Sequence, residues 1–365
     1  MFILRVDEEI ELHLRNLGQA DDLFHLIDRN RDFLEPTMDW VHRHQCVEDT
    51  QRYQASVYKN FAERRSVTTL IYYQGGLVGS AAITLIDKTL RLAEVGYWLD
   101  QGHTGKGIAT RAARAMVDYG FAVLGLHKII IRAISTNEKS LAIAQRLGFR
   151  HQGLDIHEKL HHGEYYDYDV YYLLEDDWEQ TISSLDFSAQ VAEGLELRIL
   201  EPRHAEALFQ LVDTNRAHLR EWMPWVDGTT SADDTAEFID ASLEQYGNQQ
   251  GLNLGIWYEG ELCGTIGYVY WDMIHKKTEI GYWLDRSHTG KGIITRCTQA
   301  LVDYAFDVLR MNRIQISCGT GNKASCAVAE RLGFKHEGLI RDGEWLYDHY
   351  HDLNVYALLA GERSR

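Results

Sequence analysis

Proline is nearly missing from this chain, with three in 365 residues, and no apolar run comes near the ~18 residues that a membrane-spanning helix needs. The first ten residues mix Arg5 with Asp7, Glu8 and Glu9, so they lack the basic start and apolar core of a secretory signal. Cysteine is scarce too. Cys46, Cys263, Cys297, Cys318 and Cys326 are odd in number, and none forms a Cys-x-x-Cys pair. Such a set does not build a disulfide framework and points to a reducing, cytoplasmic setting. Positive charge is in deficit, with 37 Lys and Arg against 54 Asp and Glu, a formal charge of −17. That argues against nucleic acid as a partner, because its binding depends on neutralising phosphates. An acidic field steers cationic partners such as amines or basic proteins, and it also serves plain solubility. The remaining composition, 45% hydrophobic and 25% charged, is that of a soluble globular protein with no membrane partner.

What the chain has in abundance is itself. Glu94-Val-Gly-Tyr-Trp-Leu-Asp-Gln-Gly-His-Thr-Gly-Lys-Gly-Ile-Ala-Thr-Arg111 returns as Glu279-Ile-Gly-Tyr-Trp-Leu-Asp-Arg-Ser-His-Thr-Gly-Lys-Gly-Ile-Ile-Thr-Arg296. Trp40 recurs as Trp225, Gly79 as Gly264, Asn137 as Asn322 and Gly148 as Gly333, always 185 positions on. A period this long is a domain duplication and not a solenoid. Each copy is large enough to bury its own core. The expected division is a first domain over 1–180, a linker over 181–194 and a second domain over 195–365. Two such modules in one chain can imitate a homodimer, a monomeric pseudo-dimer.

Within the first copy, Ile10–Arg15 reads as a strand and Asp21–Asp28 as a helix with acidic residues in its first turn. A second helix is expected over Val47–Arg64. Strands over Ser66–Tyr73 and Leu77–Ile86 flank Gly75-Gly76 as a hairpin. Thr89–Leu99 is a further strand that delivers the chain to the glycine turn. Ile108, Ala112, Met116, Tyr119 and Val123 then mark one buried face of a helix. A buried strand over His127–Ala133, a helix from Asn137 to Gly148, and strands near Arg150–Ile156 and Tyr165–Leu174 complete the module. Strands interleaved with helices and hairpins predict an α+β fold with a mixed, mostly antiparallel sheet flanked by helices.

Chemistry is to be sought at Thr104-Gly105-Lys106-Gly107-Ile108-Ala109 and at Thr289-Gly290-Lys291-Gly292-Ile293-Ile294. A glycine turn between a strand and a helix exposes backbone N–H groups that bind a phosphate-bearing ligand. A tight turn with no ligand is the other reading. The spelling excludes a P-loop, because Lys106 and Lys291 precede glycine where Ser or Thr is needed. It also excludes the dinucleotide fingerprint, whose third glycine is replaced by Thr110.

With these motifs in view, both modules resemble the GNAT superfamily of acyl-CoA-dependent N-acetyltransferases, most closely its RimJ/RimL branch. In that family a Gln/Arg-x-x-Gly-x-Gly/Ala loop cradles the coenzyme A pyrophosphate. The matching positions here are Thr104, Gly107 and Ala109, then Thr289, Gly292 and Ile294; the first departs in both copies and the last in the second. Asn137-x-x-Ser140 followed by Arg146-Leu-Gly-Phe149, with Asn322-x-x-Ser325 and Arg331-Leu-Gly-Phe334, looks like the second coenzyme-binding segment. The resemblance implies tandem domains using acetyl-CoA as co-substrate, no metal, and an amine acceptor such as a protein N-terminus. Acetylation of a small amine is the alternative, as is an acyl-CoA-binding protein with one degenerate copy.

An attacking amine must lose a proton and the departing thiolate must be stabilised. Glu94 and Glu279 lie on the strand entering the site; Glu94 shares a face with Leu92, Gly96 and Trp98, so partial desolvation with a raised pKa is expected. A strand-edge ion pair is the competing reading. The resemblance makes Ser140 and Ser325 donors to the coenzyme sulfur, against a helix-start serine serving its own backbone. Asn137 and Asn322 bond the pantetheine arm or cap the helix. Trp40 and Trp225 fall where the family forms a wall of the acceptor cleft, and packing is their other reading. No cysteine lies in either glycine motif, so direct attack is expected. His157-Glu-Lys-Leu-His161 spells a zinc-protease motif, but it lies between two late strands and has no counterpart in Asp342–Leu346.

Overall fold

Two runs of alternating strands and helices follow one another along the chain, and the computed structural model describes them over residues 2–161, 163–182 and 185–363. They form two units, Met1–Phe187 and Ser188–Arg365. The first contains β1 (Ile3–Arg5), β2 (Ile10–Leu14), α1 (Ala20–Arg29), α2 (Arg31–Leu34), α3 (Val47–Ala62), β3 (Ser66–Tyr73), β4 (Gly76–Asp87) and β5 (Leu92–Leu99). It continues with α4 (Ile108–Ala122), β6 (Lys128–Ile134), α5 (Glu138–Arg146), β7 (Arg150–His161) and β8 (Glu164–Leu174). The second contains β9 (Ser188–Ala192), β10 (Leu195–Ile199), α6 (Ala205–Thr214), α7 (Arg216–Leu219), α8 (Ala232–Gly247), β11 (Leu252–Tyr258), β12 (Glu261–Asp272) and β13 (Lys277–Leu284). Then come α9 (Ile293–Asp307), β14 (Arg313–Gly319), α10 (Lys323–Arg331), β15 (Lys335–Leu346) and β16 (His349–Leu359).

Each unit has a mixed sheet. Strand order is β1-β2-β3-β4-β5-β6-β8-β7 in the first and β9-β10-β11-β12-β13-β14-β16-β15 in the second. Among the described strands of each unit, one pair is parallel, β5 with β6 and β13 with β14. A parallel pair needs a crossover, which α4 and α9 supply. Each ladder is short. In the first unit it runs from Leu92↔Lys128 to Glu94↔Ile130; in the second, from Lys277↔Arg313 to Glu279↔Gln315. Beyond that point β5 stays paired with β4 as far as Leu99 and β6 with β8 as far as Ile134, so the two parallel strands part company.

The helix periodicity read from the sequence is present. Ile108, Ala112, Met116 and Tyr119 are buried along one face of α4, while Val123 is only partly covered at its end. Burying each large side chain contributes about 1.5–3 kcal/mol. The first hairpin turns one residue earlier than expected, at Gln74-Gly75, both with positive φ, and Glu259-Gly260 repeats it. Gly79 and Gly264 hold β4 and β12 close to their neighbours; a Cβ there would stand 2.1 Å from the Trp98 carbonyl oxygen or 2.3 Å from that of Trp283.

The stretch 181–194, expected to be linker, is partly ordered structure, although Ser183 and Ser184 lie outside the described residues. Ser188–Ala192 is a strand paired with β10. Ahead of it, the fully buried Asp118 of α4 accepts hydrogen bonds from Trp178 Nε1 (2.7 Å), Thr181 Oγ1 (3.0 Å) and the backbone amide of Ile182 (3.1 Å). The Arg114 guanidinium lies over the Trp178 ring. The second unit uses the matching aspartate, Asp303 of α9, to receive Arg363 at 2.6 Å. Among the described residues no helix is long and apolar enough to cross a membrane.

Removing the Asp118 carboxylate takes away the acceptor of several part-buried donors. Asp118→Ala should therefore cost about 2–3 kcal/mol and open the Trp178–Ile182 segment to protease, while Asp118→Asn, which keeps an acceptor, should cost less. Denaturant melts and limited proteolysis test this; unchanged melting of Asp118→Ala would remove the carboxylate from the account.

Candidate functional site

The glycine turn lies at the end of β5, where a short turn leads into α4. Asn30 Oδ1 accepts from the Gln101 amide (3.0 Å) and ties this turn to the end of α1; Asn215 does the same for Arg286 (3.1 Å). His103 Nδ1 meets Asp100 at 2.6 Å, and His288 meets Asp285 at 2.9 Å. Gly105 and Gly107 have φ of 77° and 76°, and Gly290 and Gly292 have 78° and 71°. Glycine adopts this left-handed region without a Cβ penalty. A Cβ at any of the four would meet nothing within 4 Å, so the turn faces open space. No side chain caps α4 or α9. Their first-turn amides, on Ile108, Ala109, Ile293 and Ile294, therefore present unmatched donors at the positive end of a helix dipole. These features fit a phosphate-bearing ligand. Ile294 in place of alanine does not alter the turn, whose glycines keep φ values close to those of the first copy. Thr104 and Thr289 turn their hydroxyls back to the Gln101 and Arg286 carbonyls. Lys106 and Lys291 lie over the rings of Tyr73 and Tyr258.

In the second unit these features open on one cavity of about 1300 Å³. Thr289, Gly290, Gly292, Ile293 and Ile294 line it together with Glu279, Asn322, Ser325 and Trp225. The structure thus brings together the residues that the sequence proposed for donor, chemistry and acceptor. Glu279 stands where β13 and β14 separate. It accepts a hydrogen bond from Gln315 Nε2 at 3.3 Å, and no cationic side chain pairs with it among the described residues. Glu94 stands at the same point of the first unit, but Arg132 donates to its Oε2 through Nε (3.1 Å) and Nη2 (2.8 Å). The sequence suggested an apolar setting for Glu94; the structure gives it an ion pair.

Asn137 and Asn322 accept from the amides of Ser140 and Ser325, which makes them helix caps. The serine hydroxyls do not turn back on the backbone. Ser140 Oγ lies 3.2 Å from Tyr97 Oη, and Ser325 Oγ lies 3.0 Å from Tyr282 Oη. Burial pushes the Tyr97 phenol up to about 12 and moves Tyr282 in the same direction, so both keep their protons at neutral pH. Neither tyrosine was foreseen, although both belong to the repeated Gly-Tyr-Trp-Leu strand. Trp40 packs against Trp98 with ring centroids 5.7 Å apart, and Trp225 against Trp283 at 5.9 Å. Arg111 is engaged by Asp7 and Glu9, whereas Arg296 donates to the carbonyls of Gly292 and Lys291, with no carboxylate partner among the described residues, and lines the cavity.

The zinc-like run is strand, not helix: His157 lies on β7 with φ 53° at a register shift and stacks on Tyr165. The His161 side chain lies outside the described residues. The histidines are therefore not on adjacent turns of a helix, as that motif requires.

A family model described as an acetyltransferase (GNAT) domain matches residues 11–150 and again 194–335. A putative ribosomal N-acetyltransferase of Bacillus subtilis, YdaF, is 40% identical over 177 residues, covering 48% of this chain and 97% of that protein. The ribosomal-protein-serine acetyltransferase of Escherichia coli is 34% identical over 168 residues, covering 46% of this chain and 94% of its own. A solved structure of RimL, a ribosomal L7/L12 alpha-N-protein acetyltransferase in complex with coenzyme A, is 33% identical, covers 47% of this chain and 97% of that one, and superposes with a TM-score of 0.46. Each of these relatives accounts for about half of the chain. With the family model matched twice, over most of the sequence and around both glycine turns, the chain belongs to the GNAT acetyltransferases, as two such domains in tandem.

Proposed function

We propose that this acetyltransferase moves acetyl from acetyl-CoA to the amino terminus of a protein or peptide by direct attack. The observation that carries the reading is the second-unit cavity, where a carboxylate at the parting of two strands, a tyrosine–serine pair and an amide cradle share one space. The amides of Gly290 to Ile294 hold the donor's phosphates, with Arg296 beside them. Glu279 accepts the proton that the ammonium must lose before its nitrogen attacks the thioester carbonyl. As the carbon–sulfur bond breaks, Ser325, hydrogen-bonded to the protonated Tyr282, donates to the departing sulfur. Trp225, packed on Trp283, forms a wall on the acceptor side.

The first unit repeats the parts as Glu94, Ser140, Tyr97 and Trp40, but its carboxylate must first leave Arg132. The two units therefore contribute unequally, and the segments beside Trp40 and Trp225 suit different acceptors. Protein N-termini are favoured because two of the curated relatives, each matched over nearly its whole length, are a ribosomal-protein-serine acetyltransferase and a putative ribosomal N-acetyltransferase, whereas a spermidine N(1)-acetyltransferase of Escherichia coli is matched over 54% of its length. Five free cysteines accord with a cytoplasmic enzyme.

Turnover of acetyl-CoA with N-terminal peptides of ribosomal proteins, set against a small-amine panel, tests the acceptor; mass spectrometry should place the acetyl on the α-amino group. Acetylation confined to the small amines would overturn that assignment. Glu279→Gln should lower kcat by about 100-fold at the second site and remove more of the total turnover than Glu94→Gln does. Equal losses would contradict the unequal roles. Calorimetric titration should find two acetyl-CoA sites per chain, and Gly292→Ala, forced into the left-handed region, should weaken one of them by roughly fivefold or more. A single site in the unaltered chain would mean that one cradle does not function.

A further inference from the structure

The two acceptor sides carry different charge at matching positions. In the first unit the carboxylates are met by the protein's own cations. Glu94 has Arg132 at 2.8 Å, Glu158 shares that guanidinium at 3.3 Å, and Asp39 has Lys159 at 3.0 Å. Tyr168 lies among them, its phenol pushed up by burial and by the neighbouring carboxylates of Asp39 and Glu94. The second unit has Ser317 where Arg132 stands, Pro224 for Asp39, Gly343 for Glu158 and Leu353 for Tyr168. Lys159 is replaced by Glu344, a reversal of charge.

Glu344 is half-buried on β15 and lines the same cavity as Glu279. Among the described residues nothing hydrogen-bonds or ion-pairs with its carboxylate. His351 faces it across the strand pair but gives its Nε2 to His349 at 2.7 Å and sets its ring edge-on to Trp222. Arg296 and Arg331, the guanidinium groups that line the cavity, stand on α9 and α10. Desolvation pushes the Glu344 carboxyl up, the mark of an anion short of a partner. Carboxylates taken out of water call for a compensating positive charge. The first unit supplies that charge from its own side chains; the second leaves it to the ligand. The attacking ammonium meets Glu279, and a further cation is needed at Glu344. Trp222 and Trp225, which line the same cavity, offer ring faces that also favour a cation.

We propose that Glu344 makes the second unit selective for an acceptor that carries a second positive charge, such as a peptide whose N-terminal residue is followed closely by lysine or arginine. This rests on the N-acetyltransferase reading above. A free diamine offers the same chemistry and is separated by the assay. In the full-length chain carrying Glu94→Gln, kcat/KM is measured for paired peptides that differ only in lysine or glutamine near the N-terminus, and for butylamine against 1,4-diaminobutane. The lysine peptide should be preferred by about tenfold, and high salt should shrink that ratio. Glu344→Gln should abolish the preference while leaving the glutamine peptide's rate within about twofold, and Glu344→Lys should reverse it. An unchanged ratio in Glu344→Gln, or equal use of both peptides by the starting chain, overturns the proposal. A charge preference seen only between the amines assigns the subsite to small diamines and overturns the peptide form. Acetylation of no acceptor in either series counts against the enzymatic reading itself. Retention of both acetyl-CoA sites by Glu344→Gln shows that the second unit is folded, because its glycine turn lies on a different element.

Discussion

A parallel pair of strands that stays hydrogen-bonded along its whole length leaves no room for a ligand between them. In both units the pair stops after three residues, at Glu94↔Ile130 and Glu279↔Gln315. Everything at the site follows from that interruption. The freed backbone edges open a gap, and the carboxylate at its apex is the last residue of the ladder. The crossover that joins the two parallel strands must begin at the far end of the first one, which places the start of α4 or α9 beside the gap. A helix start is also where backbone amides lack partners. The glycine turn and the carboxylate are thus brought together by one topological constraint.

The helices and most strands were legible because their signals are local. Ile108, Ala112 and Met116 repeat at helical spacing and are buried. Asn137 and Asn322 precede α5 and α10 and cap them. The glycine turns were legible for a similar reason, since two positive φ values leave few other residues possible. Ile3–Arg5 and Ser188–Ala192 were not, being too short to show a period.

The electrostatics of the site were out of reach for a different reason. Arg132 finds Glu94 across 38 residues and Tyr97 finds Ser140 across 43, distances over which no local pattern operates. Strand alternation even separates Tyr97 from Glu94, placing them on opposite faces. Tyr97 meets Ser140 on α5, whereas Trp98, on the face of Glu94, packs against Trp40. Alternation reports which face Glu94 takes, and not that Arg132 waits there. Near-identity around the turns coexists with replaced charges around Glu94 and Glu279.

Asp118 adds a thermodynamic linkage. Its helix, α4, begins at the glycine cradle and carries, three turns later, the carboxylate that fastens Trp178, Thr181 and Ile182. One helix thus joins the glycine turn, proposed above to hold the donor's phosphates, to the segment by which the chain leaves the first unit. Under the proposed function, ligation at the turn and order in that segment are linked through the helix, so hydrogen exchange of the outgoing segment would report on occupancy of a site it does not touch.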